Sequence, residues 1–116
     1  MEQGYKSLIV WKKSIELVKE IYKIGESLPR REQFGLVSQI CRAAVSVPSN
    51  IAEGNKRGSR KEYVQFLRIA HGSLAELETQ LVIISELYPE ISIETASMLS
   101  DEVSRMLSAI IKKLHV

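Results

Sequence analysis

Between Tyr63 and Tyr88 the apolar residues Tyr63, Leu67, Ala70, Leu74, Leu77, Leu81, Ile84 and Tyr88 recur at alternating spacings of three and four. That period places them on one side of a helix of seven turns, and a helix with one greasy side requires partners to cover it. Phe66, Ile69, Val82, Ile83 and Leu87 widen the stripe beyond a single seam, so more than one partner helix is expected. Ser59-Arg60-Lys61-Glu62 reads as a capping box at its start and Pro89 as its stop.

The rest of the chain supplies three such partners. Leu8, Trp11, Ile15, Val18 and Tyr22 form one stripe of a first helix, with a second stripe at Leu17, Ile21, Ile24 and Leu28, Ser7 as the N-cap and Pro29 as the stop. Leu36, Ile40, Ala43, Ala44, Val47 and Ile51 mark a second helix reaching Gly54, where Gly54–Gly58 supplies the helix-ending glycine and a polar turn. Pro48 lies inside it, removing one backbone donor and pressing on the Ala44 carbonyl, so the pattern predicts a kink near Val47 or a break. Ala96, Leu99, Val103, Met106, Ile110 and Leu114 define a fourth helix capped at Ser92, with early acids and late Lys112 and Lys113 suiting its dipole. Four amphipathic helices on short turns predict an all-α, antiparallel up-down-up-down four-helix bundle, and 116 residues suit one domain spanning 1–116.

Several function classes are disfavoured. The polar start lacks a secretory signal and no apolar run approaches the roughly 20 residues of a membrane span, so a cytoplasmic protein is expected. The solitary Cys41 can form no internal disulfide. No phosphate-binding glycine loop follows a strand, and no glutamate precedes a histidine by three residues, the pair by which bundles hold two irons. His71 and His115 stand far from any second ligand, and both read as exposed or helix-packed side chains. Neither enzyme chemistry nor a cofactor or metal is expected.

Two polar features remain. Gln39, Arg42, Ser46, Asn50 and Glu53 share one side of the second helix, and Ser73, Glu76 and Gln80 one side of the third. With the helices antiparallel about a turn centred near Arg57, Arg42 falls one turn from Glu76 and Glu53 opposite Lys61. The expectation is an Arg42–Glu76 ion pair, joined by Ser46 or Ser73, with Ala70 and Gly72 allowing close approach. This stripe reads either as a device fixing helix register or as a ligand site, and the first is preferred because buried polar pairs commonly specify pairing.

The second feature is the corner Lys56, Arg57, Arg60 and Lys61, four cations in six residues. They stand where a helix start is already positive, and a phosphate or acidic partner would compensate. A solvated turn offset by Glu53 and Glu62 is the equal alternative. The charge is uneven along the chain as well: Met1–Arg68 holds 13 Lys and Arg against 7 acids, and Ile69–Val116 holds 3 against 7. Such asymmetry suits a polyanion on one side or attraction between copies.

The segment Gly35-Leu36-Val37-Ser38-Gln39-Ile40-Cys41-Arg42-Ala43-Ala44-Val45-Ser46-Val47-Pro48-Ser49-Asn50-Ile51-Ala52-Glu53-Gly54 resembles the bacterial 23S rRNA-intervening-sequence proteins. Trp11, Arg57, Phe66–Leu74 and Glu76–Leu81 extend the likeness over nearly the whole chain. That family is in turn similar to the accessory protein of diversity-generating retroelements, a basic bundle that forms a pentameric ring and works with a reverse transcriptase on nucleic acid. The resemblance implies a homo-oligomer, a pentamer by that analogy, with RNA or DNA as partner, and supplies no catalytic activity. This chain departs from the strongly basic accessory protein in its net charge of +2. A protein-interaction module whose basic half meets an acidic half of another copy or protein is the competing expectation.

Overall fold

Four helices form where the apolar period foretold them: α1 over Ile9–Ser27, α2 over Leu36–Lys56, α3 over Arg60–Leu87 and α4 over Glu94–Leu114. The computed structural model describes residues 4–114, and short 3-10 turns at Gly4–Ser7 and Arg30–Glu32 complete it. α1 packs on α2 and α4, and α3 on the same two, with no diagonal contact among the described residues. Neighbours run antiparallel in a bundle of 43 × 25 × 21 Å.

The core confirms the α3 seam almost residue for residue. Leu67, Ala70, Leu74, Leu77, Leu81, Ile84 and Tyr88 are buried, and Tyr63 packs half-buried against the cluster. Ile40, Ala43, Ala44, Val47 and Ile51 answer from α2, and Ala96, Val103 and Leu107 from α4. In α1 the weight of the two stripes is reversed. Leu17, Ile21, Ile24 and Leu28 line the core beside Val10, while Trp11 and Val18 flank it and Tyr22 is half exposed. The physical reason is Ser14, fully buried because its hydroxyl donates to the Trp11 carbonyl; a serine that bonds its own helix can sit in the seam and hide the true period.

Local chemistry moves several boundaries. Ser7 lies in the 3-10 turn, its hydroxyl on the Gly4 carbonyl, and α1 starts after an uncapped Leu8. Ser92 offers only a 3.5 Å contact to the Glu94 amide, while the Ile93 carbonyl takes the first α4 helix bond. α2 continues unbroken through buried Pro48, which excludes the division into two pieces. It also continues past Gly54 to Lys56, and the residue with positive φ in the turn is Gly58, at +81°. The widening expected on α3 is only partly used, since Ile69, Val82, Ile83 and Leu87 remain exposed.

Candidate functional site

The α2–α3 hairpin carries both polar features, and its geometry begins at the turn. Ser59 caps α3 by accepting the Glu62 amide at 3.1 Å, the serine half of the expected capping box; the Glu62 carboxylate turns to Arg57 instead. Gly54, buried inside α2, faces α3 so closely that an added Cβ would stand 2.6 Å from the Phe66 Cβ and 3.1 Å from Tyr63 Cδ1. Only glycine permits that approach. The glycine expected to end the helix is therefore a packing glycine. Gly72, expected to allow close approach, has open space beside it, and buried Ala70 alone takes the small-residue role.

Because α2 runs on to Lys56, the hairpin is centred between Ser59 and Arg60 rather than at Arg57. Two cross-helix pairs lie symmetrically about that bond: Ser46 with Ser73, hydroxyl to hydroxyl at 2.8 Å, and Gln80 donating to Gln39 at 3.4 Å. Asn50 donates to both the carbonyl and the hydroxyl of Ser46. The expected ion pair is nevertheless missing, because both side chains turn outward from the helix contact. Arg42 falls level with Leu77, both Arg42 and Glu76 are exposed, and the ion pairs of the structure do not include them. Glu53 likewise falls level with Phe66 rather than Lys61. The stripe thus unites Gln39, Ser46, Asn50, Ser73 and Gln80 and leaves Arg42, Glu53 and Glu76 outside it. Gln80 Oε1 is buried without a hydrogen-bond partner.

At the cationic corner the four candidates divide. Arg57 is committed inward: its Nε lies 3.2 Å from Glu53, one Nη 3.6 Å from Glu62, and its guanidinium 4.9 Å above the Phe66 ring. These contacts are half exposed, so each contributes little to stability, but together they orient the side chain. Lys56, Arg60 and Lys61 are exposed, and no acid among the described residues lies within ion-pair distance of them. The two acids expected to offset the corner are both turned to Arg57.

The reactive residue types sit elsewhere in structural settings. His71 Nε2 meets Ser104 at 3.0 Å and Ser108 at 3.2 Å, fastening α3 to α4; His115 lies outside the described residues. Cys41 is half-buried, and loss of water around it pushes the thiol up while a hydrogen bond to Tyr22 pulls the other way. At the opposite end of the bundle Tyr88 donates to Glu32 at 2.6 Å beneath Arg31, joining the two end turns. Sequence patterns could not reveal this pair, nor the serines facing His71, because each joins residues remote along the chain. No helix of the described residues is long and apolar enough to cross a membrane, and none of their acidic, histidine and cysteine groups gathers as a metal site.

Comparison with known proteins gives the bundle relatives. A protein of unknown function from Bacteroides thetaiotaomicron, described as of the S23 ribosomal protein family, superposes with a TM-score of 0.79 at 28% identity, covering 90% of this chain and 99% of its own. No curated protein matches the sequence. The model of the 23S rRNA-intervening sequence proteins matches residues 6–109, from within the first 3-10 turn through α1, α2, α3 and most of α4. With the expected fold, the Ser46–Ser73 register and the Gly54 crossing all inside that span, the chain belongs to the 23S rRNA-intervening sequence protein family.

Proposed function

We propose that this protein is a non-enzymatic, cytosolic, oligomeric bundle whose cationic corner contacts the phosphate backbone of nucleic acid without reading sequence. The observation that carries this reading is the division at the corner. Arg57 absorbs Glu53 and Glu62, which leaves Arg60 and Lys61 exposed and without an acid at the positive start of α3, with Lys56 exposed beside them at the end of α2. The aromatic rings nearby are occupied, Phe66 beneath Arg57 and Tyr63 against the core, so the base stacking that distinguishes single-strand readers is not supported.

Repetition of the corner around a ring would convert a weak contact into a useful one. The exposed apolar side chains of α3, Ile69, Val82, Ile83 and Leu87, support self-association. The likeness to the retroelement accessory protein motivates a pentamer, which light scattering measures directly. The same exposed side chains favour the second reading, a protein-interaction module with no nucleic-acid ligand. Pull-down with and without nuclease separates the two.

Binding of a structured RNA across a salt series tests the leading reading. Three free cations per copy give a slope of log affinity on log salt of about −2 to −3 for each copy engaged. The double variant R60E/K61E is expected to weaken binding to all sequences alike. No affinity at low salt, or affinity indifferent to salt, refutes it. Arg57 is a poor choice for charge reversal because its loss also frees Glu53 and Glu62.

A further inference from the structure

The bundle converts the uneven charge along the chain into an uneven charge between its two ends. The 3-10 turn Gly4–Ser7 packs against α2 with Gly4 close to Asn55, which places Lys6 at the same end of the bundle as Lys56. α4 runs antiparallel to α3, as the Glu78–Ser100 and His71–Ser108 contacts require. Its last turn, with Lys112 and Lys113, therefore lies at the same end of the bundle, level with Phe66 and Leu67 and about two turns from Arg60 and Lys61. All six side chains are exposed, and none has an acid within ion-pair distance among the described residues. The last acid of α4 is Glu102, three turns before Lys112. The opposite end is mixed, exposing Glu26, Glu86, Glu90 and Glu94 together with Arg30 and Arg31.

We infer that the binding surface is the whole cationic end of the bundle, Lys6, Lys56, Arg60, Lys61, Lys112 and Lys113, and that its ligand is a nucleic-acid duplex rather than a single strand. This rests on the function proposed above and names its substrate class. Four separate elements carry the charges across a face whose cross-section follows from the 25 × 21 Å girth of the bundle. That width lets the end span the two phosphate rows bordering one groove, about 12 Å wide in the major groove of B-form DNA. A single strand presents one row and needs aromatic platforms, and the rings at this end are covered: Trp11 is packed edge-on by Tyr5 at 5.4 Å, and Phe66 lies under Arg57.

The test is fluorescence anisotropy with a 20-base-pair DNA duplex and with one of its strands alone, each over a salt series. Six phosphate contacts give the wild-type duplex a slope of about −5, and K112Q/K113Q makes it shallower by about 2. Lys6→Gln, on a different element, makes it shallower by about 1, whereas Arg30→Gln at the far end leaves it unchanged. Circular dichroism confirms that each variant is folded. Equal or tighter binding of the single strand overturns the duplex assignment, and a slope indifferent to Lys6, Lys112 and Lys113 but sensitive to R60E/K61E overturns the extended surface while leaving the proposed function standing. If the wild type binds neither probe, the proposed function itself fails.

Discussion

Replacing Gly54 with alanine sets two effects of opposite sign against each other, and the structure decides between them. In a helix interior, alanine is favoured over glycine by about 1 kcal/mol. At Gly54 the new methyl would stand 2.6 Å from the Phe66 Cβ and 3.3 Å from the Tyr63 carbonyl oxygen. Neither atom is the end of a flexible side chain, so α2 and α3 must move apart. Overpacking of this kind costs about 1–3 kcal/mol, and contact with near-rigid atoms puts Gly54 toward the upper end. The expected net result is a loss of about 1–2 kcal/mol, roughly 4–8 °C in Tm per kcal/mol for a domain near this size. Gly72→Ala is the matched control: it is exposed within α3 and nothing lies within 4 Å of the added methyl, so it should gain about 1 kcal/mol. Guanidinium titrations of both variants check the pair. A Gly54→Ala protein as stable as the wild type would refute the claim that this crossing is sterically closed.

Other perturbations address the remaining contacts. Ser59→Ala removes the cap on the Glu62 amide and should cost about 1 kcal/mol in the same titration. Leu77→Ala, fully buried in the α3 seam, should cost about 2–5 kcal/mol. The hydrogen bond to Glu32, aided by burial, holds the Tyr88 phenol above its ordinary value of 10.0, so the unfolded chain ionises first. Its contribution is whole below that value and declines as pH rises through the folded pKa; stability measured from pH 8 to 11.5 should fall in the wild type and fall less in Tyr88→Phe. Burial likewise raises the Cys41 thiol, and alkylation at pH 8 should be slow in the folded protein and rapid in denaturant.

Most of the architecture was legible because it depends on period. The α3 seam, the α2 small-residue face and the Ser59 cap are local patterns, and each appears where the spacing put it. Failures occurred where a single residue had two possible roles. Gly54 can end a helix or admit a neighbour, and the difference lies in Phe66, twelve positions away. Taking it for the end puts the hairpin centre at Arg57 and Glu53 opposite Lys61, while the Arg42–Glu76 pair fails for a different reason, since both side chains point to solvent. The cationic corner was visible as composition, but the capture of Arg57 by Glu53, Glu62 and Phe66 depends on side-chain direction, which spacing does not encode.

The two hydroxyl and amide pairings across the hairpin are one heptad apart on each helix, so sliding α3 by a full repeat would set Ser46 against Gln80 or Gln39 against Ser73, partners of unequal reach. The seam therefore works as a vernier, with its marks matching at one setting. A residue added between Arg57 and Ser59 should bulge into solvent and leave the helices in step, which makes this bend a tolerant place to splice foreign sequence.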